Sequence, residues 1–168
     1  MSDARLDLVC QQIAFVRKYT LSLLADIQDA DWFWQAQPGG THIAWQVGHL
    51  AMAQYGLCLF RMRGRHEEDV RLMPSAFRKK FSKGSVPDPD PAAQPTPAEI
   101  RLVFDRVYQQ AMDELPCFGP ELLDQPVEEP YAMYPTRLGS LYFCPLHEMM
   151  HAGQIGLLRR LMGKSTIR

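Results

Sequence analysis

Two histidines near the C-terminal end of the chain, His147 and His151, stand four residues apart in segment 145–155 (PLHEMMHAGQI). On an α-helix, side chains at this spacing share one face, with Cβ atoms about 5–6 Å apart. Two imidazoles so placed can bind one metal ion, because histidine nitrogens bind zinc at about 2.0–2.1 Å. The spacing therefore predicts a metal site whose chemistry depends on the third ligand.

The same segment matches the HExxH pattern of zinc proteases, in which the glutamate, here Glu148, is the general base acting on metal-bound water. Proteases of this type take their third ligand downstream, whereas residues 152–168 contain no His, Asp or Glu. The extended metzincin pattern also fails, because Gln154 stands where it requires Gly and Leu157 where it requires His. The sequence therefore disfavours a protease.

A third ligand is available upstream. Segment 41–50 (THIAWQVGHL) begins a second apolar, helix-like stretch that contains His49. If this helix packs against the last one, His49 can complete a three-histidine site. Three protein ligands with one open position are typical of catalytic rather than structural zinc.

Two blocks of sequence resemble a known family. The first is GGTHIAWQVGHL at 39–50, and the second is HxxxHAGQI at 147–155 followed by LMG at 161–163. Together they resemble the DinB-like family, which is similar to the bacillithiol S-transferases and the mycothiol-dependent maleylpyruvate isomerases. The resemblance covers nearly the whole chain, but its specific part is these two blocks.

The resemblance implies a four-helix bundle whose metal ligands lie on the second and fourth helices. Residue by residue, it places His49, His147 and His151 in those ligand positions. In the resembling S-transferases a low-molecular-weight thiol is the nucleophile that attacks an electrophilic substrate. The resemblance also implies a homodimer.

Four stretches of the chain have the apolar spacing of amphipathic helices: about 4–28, 41–63, 96–116 and 138–162. Apolar side chains recur there at intervals of three and four residues, which places them on one helix face. Strand patterns are almost absent. The expected fold is therefore all-α, a four-helix bundle that forms one domain over residues 1–168, and such bundles place metal sites in their cores.

Two long proline-containing connections separate these helices. Residues 64–95 join the second and third helices and include a predicted short helix around 74–80, while residues 117–137 join the third and fourth. Proline cannot continue a helix or a central strand without losing a hydrogen bond. We therefore expect long loops at both places.

Individual residues predict where the helices begin or bend. Thr41 is the expected N-cap of the second helix. Thr96 and Glu99 have the spacing of a capping box at the start of the third. Pro145 lies inside the last pattern and is expected to kink that helix or mark its restart.

Four further residues are candidates for catalytic or pocket roles. Glu148 is a candidate general base, although its side chain could equally face solvent. His42 and Trp45 share a face of the second helix with His49; His42 would line the mouth of the site or lie exposed, and Trp45 is expected to pack. Gln154, one helical step beyond the last ligand, would orient a ligand or a bound water.

Composition is that of an ordinary globular protein, with 46% apolar and 22% charged residues. A net charge of −1 offers no basic surface for nucleic acid, and no apolar run approaches the length of a membrane span. The first residues lack the layout of a signal peptide, so a cytoplasmic location is expected. The expected partner is a small-molecule substrate.

The metal and the reaction stay open at the level of sequence. Zinc, nickel or iron(II) would suit three imidazoles. The first hypothesis is a metal-dependent thiol S-transferase with a low-molecular-weight thiol as cosubstrate, and the alternative within enzymes is a metal-dependent hydrolase. A non-catalytic metal-binding bundle, structural or sensory, is the other class. A fourth ligand such as Cys144 would favour it, whereas an accessible cavity would favour an enzyme.

Overall fold

A computed structural model of the chain describes residues 3–128 and 131–167. Four long helices and one short helix organise this part, and it contains no β-strand, which confirms the all-α fold class. We label the five helices α1 (Ala4–Leu24), α2 (Ile43–Gln54), α3 (Ser75–Phe81), α4 (Pro97–Glu114) and α5 (Arg137–Leu161). Shorter helical turns occupy Asp29–Asp31, Asp69–Leu72, Pro91–Ala93, Leu115–Cys117 and Pro120–Leu123.

The long helices bury their apolar faces against one another. Helix α5 packs against α1 and α2, and α2 also packs against α4 and α3. The predicted apolar stripes form the shared core, in which Ile13, Val47, Phe104 and Ile155 are fully or almost fully buried. The second and last helices, which carry the histidines, are therefore direct neighbours.

Helix α2 continues beyond Gln54 in a different hydrogen-bonding pattern. Residues Tyr55–Phe60 form a π-helix, and the turn Arg61–Arg63 follows before Gly64 ends the helix at φ +80°. The predicted helix over 41–63 is correct in extent, but apolar spacing alone does not distinguish a π-helix from an α-helix. Such π segments occur frequently at functional sites.

The ends of the helices follow the predicted capping in part. Thr96 and Glu99 form both bonds of the capping box at the start of α4. The N-cap of α2 is His42 rather than Thr41, because the His42 Nδ1 accepts the Trp45 N–H at 3.1 Å. Helix α1 ends at Leu24, four residues earlier than predicted.

Helix α5 runs without interruption through Pro145. Of the two alternatives expected at this proline, a kink or a restart of the helix, the restart does not occur. Pro145 is buried and has no N–H to donate to the carbonyl of Leu141, four residues earlier. His147 and His151 therefore lie on one continuous helix.

None of the helices in the described residues has both the length and the apolarity needed to cross a membrane.

Candidate metal centre

Three histidines converge between α2 and α5. His49 comes from α2, His147 and His151 come from α5, and one ring nitrogen from each lies within 4.8 Å of the other two. The Nε2 atoms of His147 and His151 are 3.3 Å apart. Two ligands of a tetrahedral zinc ion at bonds of 2.0–2.1 Å would be separated by about 3.4 Å. The spacing of these two nitrogens thus fits a shared ion.

In His49 and in His151, a hydrogen bond to one ring nitrogen leaves only the other nitrogen able to bind a metal. The His49 Nδ1 lies 2.8 Å from the carbonyl oxygen of Phe81, and the His151 Nδ1 contacts the amide oxygen of Gln46. These oxygens can only accept, so both Nδ1 atoms carry the proton. The Nε2 lone pairs are left for a ligand, in the arrangement typical of histidines that bind metals.

Gln46 is itself held in place. Its amide nitrogen donates to the Thr41 hydroxyl at 2.7 Å, which turns the amide oxygen toward His151. Gln46 is not among the residues that the sequence motifs predict for the site. The signal it offered is its position, because it is a polar residue three places before His49 in an otherwise apolar stretch.

Burial keeps the three imidazoles neutral. It lowers the pKa of His49, it lowers the pKa of His147 to about 4, and with the neighbouring histidines it lowers the pKa of His151 to about 3. Removing an imidazolium from water is unfavourable, and a second positive charge nearby adds repulsion. The neutral form, which is the one that binds metals, therefore predominates at pH 7.

Trp45 supports the ring of His49. The two rings are stacked, with centroids 4.7 Å apart and planes at 6°, and the indole N–H donates to the Ser85 hydroxyl at 2.9 Å. The tryptophan therefore restricts rotation of His49. This agrees with the expectation that Trp45 packs.

A glycine determines how closely α3 approaches His49. A Cβ atom on Gly48 would lie 2.5 Å from the Phe81 ring, well inside contact distance. The absent side chain lets Phe81 pack against α2 and brings its carbonyl to the His49 Nδ1. The close contact between Gly48 and Phe81 thus helps to position the His49 ring.

The other three candidate residues, His42, Gln154 and Glu148, differ in their burial and in their hydrogen-bond partners. His42 is buried and caps α2, and its Nε2 lies 3.1 Å from the Asp88 carbonyl oxygen. Gln154 is exposed on α5. Glu148 is neither at the ligand atoms nor at the surface, because its carboxylate forms a buried ion pair with Arg17.

Cys144 does not join the histidine group. Its thiol is buried near Cys58, and this proximity together with burial raises the pKa of the Cys58 thiol. The metal-ligand cluster found within residues 3–128 and 131–167 consists of the three histidines alone.

A cavity of about 570 Å³ reaches the cluster, and His49 and His147 both form part of its wall. Its volume is within the usual range for small-molecule sites. The other described wall residues are Met52, Ala53, Gly56, Leu57, Arg61, Ser82, Lys83, Tyr131, Phe143 and Met150. A groove of similar volume beside Arg63 and Asp69 has none of the three histidines in its described walls.

The matched family agrees with this geometry. A model of the DinB superfamily matches residues 12–155, a span that contains all three histidines. The chain belongs to the DinB superfamily. The resemblance of the two sequence blocks is thereby confirmed. No curated protein shows significant similarity to the chain. The activity of this DinB-superfamily protein must therefore be inferred from its own residues.

Proposed function

We propose that this protein is a metal-dependent enzyme that transfers a low-molecular-weight thiol to an electrophilic small molecule. His49, His147 and His151 would bind one divalent ion. The observation that carries the proposal is the cavity, whose wall includes two of these histidines. A ligand in the cavity would therefore reach the metal directly.

The donor set fits such an ion. Three neutral imidazoles suit zinc, nickel or iron(II), and three ligands leave a coordination position open. The metal-ligand cluster within the described residues consists of the three histidines without Cys144, so a fourth position would be available to a substrate. When bound, a divalent metal supplies Lewis acidity that lowers the pKa of a thiol or a water.

The residues of the chain have defined parts in this reaction. Phe81 and Gln46 orient His49 and His151, and the apolar part of the wall would pack against the organic part of the substrate. The sulfur forms a bond to the electrophilic carbon, the leaving group departs with its bonding electrons, and the thiol proton passes to solvent. Glu148 is not proposed as the base, because Arg17 occupies its carboxylate.

Two alternatives share the same site. A hydrolase would use a metal-activated water instead of a thiol, and a structural or sensory protein would bind the metal without turnover. The cavity beside His49 and His147 favours an enzyme over a structural site.

Metal content tests the first half of the proposal. We expect about one metal ion per chain by mass spectrometry in the wild type and loss of stoichiometric binding in His49→Ala, His147→Ala and His151→Ala, with far-UV helicity retained. His66→Ala, at an exposed histidine outside the cluster, is the matched control. Full occupancy in the cluster variants, or no binding of zinc, nickel or iron(II) by the wild type, would refute the assignment.

Turnover tests the second half. The metal-loaded wild type is assayed with cysteine, glutathione and other small thiols against chlorodinitrobenzene, beside an ester panel for hydrolysis. Metal-dependent thioether formation that is lost in His147→Ala supports the transferase. Ester hydrolysis without thiol transfer would support the hydrolase, and full metal binding without either activity would support the non-catalytic alternative.

We propose in addition that the protein forms a homodimer. Apolar side chains on one side of α5 are exposed, at Leu146, Leu157 and Leu161. Burial of such a patch against a second copy would remove it from water. Light scattering coupled to size exclusion should give twice the chain mass, and Leu157→Glu should shift it toward the monomer. A monomeric wild type would contradict the proposal.

A further inference from the structure

The cavity beside the histidines has two chemically different sides. Five of its wall residues are apolar: Met52, Ala53, Leu57, Phe143 and Met150. Lys83 and Arg61 lie in the same wall, together with Tyr131, and none of the described wall residues is acidic. A ligand that matches both sides would combine an apolar body with a negative charge.

Lys83 is the cation best placed to meet such a charge. Its ammonium group donates to the Tyr131 hydroxyl, and none of the ion pairs found among the described residues involves Lys83. The Lys83 side chain is exposed, so its charge is hydrated when no ligand is bound. The residue sits two places after Phe81, whose carbonyl fixes His49, so the cation and the ligand histidine are tied to the same short segment.

Arg61 adds positive charge to the cavity wall and also stabilises it by hydrogen bonds. Its guanidinium donates to the Tyr131 carbonyl at 2.7 Å and to the Ser140 hydroxyl at 3.0 Å. These bonds join the end of the π-helical segment to α5 and to the loop that carries Tyr131. Arg61 thus holds Tyr131 near Lys83.

We propose that the cavity binds an organic carboxylate with an apolar body, with the carboxylate at Lys83 and the body against the apolar wall. The proposal rests on the proposed function, since it names the substrate class of that site. A carboxylate at Lys83 gains a charge-assisted hydrogen bond, whereas an amine of the same shape would meet the like charge of Lys83. The apolar part gains burial in proportion to its area.

Binding of three ligands of equal chain length tests this. Octanoate, octanol and octylamine are titrated calorimetrically into the full chain, both metal-free and zinc-loaded. We expect octanoate to bind the metal-free protein more tightly than octanol, and octylamine to bind least. Lys83→Gln should weaken octanoate binding by about three- to tenfold, the scale of one partly exposed charged contact, and leave octanol unchanged.

Lys79→Gln is the control, because Lys79 is an exposed lysine on α3 outside the cavity wall. Equal octanoate affinity in Lys83→Gln and wild type would overturn the proposal, as would the absence of octanoate binding. Octanoate that binds only the zinc-loaded protein, independently of Lys83, would also overturn it, since the carboxylate would then be a metal ligand. Zinc stoichiometry measured on the same samples tests the proposed function separately, because octanoate binding to metal-free protein does not depend on it.

Discussion

Arg17 on α1 and Glu148 on α5 form an ion pair in the interior of the bundle. The Arg17 Nε lies 3.0 Å from one Glu148 oxygen and the Nη2 lies 3.3 Å from the other, and each side chain is 3% exposed. The remaining guanidinium bonds reach the Gln54 amide oxygen at 2.7 Å and the Phe104 carbonyl at 3.1 Å. One arginine therefore connects α1, α2, α4 and α5.

Because of this ion pair, the side chain of Glu148 points in a different direction from that of its sequence neighbour His147. Adjacent residues on an α-helix point about 100° apart. His147 faces the cavity, whereas Glu148 faces α1. The carboxylate that the HExxH pattern assigns to catalysis thus contributes to packing between helices.

Glu148→Gln should destabilise the fold. The substitution leaves the Arg17 charge buried without its counter-charge, and breaking a buried pair from one side costs about 3–5 kcal/mol. Denaturant unfolding should show this loss, while Glu67→Gln, at an exposed glutamate, should be close to wild type. A Glu148→Gln variant of wild-type stability whose turnover falls by about 10²–10⁴ would instead identify Glu148 as a general base.

Gln46→Ala should weaken metal binding without removing it. The variant loses the acceptor that holds the His151 Nδ1 proton, so the ring is free to rotate or to change tautomer. Loss of such a partner typically costs about 10–100-fold in metal affinity. Competition with a zinc chelator measures the change, and Gln11→Ala on the exposed side of α1 is the control. Equal zinc affinity in Gln46→Ala and wild type would show that packing alone orients His151.

Gly48→Ala should lower both stability and metal affinity. The new Cβ would lie 2.5 Å from the Phe81 ring and displace the carbonyl that accepts from His49. Overpacking of this kind costs about 1–3 kcal/mol. Gly153→Ala provides the contrast, because its Cβ would meet nothing within 4 Å and should stabilise α5 by up to about 1 kcal/mol. Thermal unfolding and zinc titration of both variants would test this, and a neutral Gly48→Ala would contradict it.

Asp69 should contribute an acid-dependent part of the stability. Burial favours its neutral form, but hydrogen bonds from Arg63, His66 and Tyr55 outweigh burial and lower the pKa from 3.8 to about 2. Because the folded-state pKa is the lower one, the stabilisation is present above pH 4 and is lost as pH falls through 2. A difference of this size corresponds to about 2 kcal/mol.

The measurement for Asp69 is the free energy of unfolding between pH 7 and pH 2. Asp69→Asn should be less stable than wild type at pH 7 and should lose less stability on acidification. Asp105→Asn, at an exposed aspartate of α4, should keep the wild-type profile. Parallel profiles for Asp69→Asn and wild type would show that other carboxylates control the acid response.

The sequence alone determined the four long helices and the pairing of His147 with His151 on one helix face. Apolar spacing located α1, α2, α4 and α5 because a helix that buries one face must repeat apolar residues every three or four positions. The His147–His151 spacing determined a shared face for the same reason. The Thr96 capping box is equally local, since its partners lie three residues apart.

Tertiary structure alone decided how those residues are used. The bond from His49 to Phe81 spans 32 residues, that from His151 to Gln46 spans 105, and the Arg17–Glu148 pair spans 131. Periodicity predicts which face of a helix is buried, but it does not say which neighbour that face meets. In the sequence Glu148 is a candidate base that could equally face solvent, whereas in the fold it is an interior ion-pair partner, because its surroundings depend on where α1 packs.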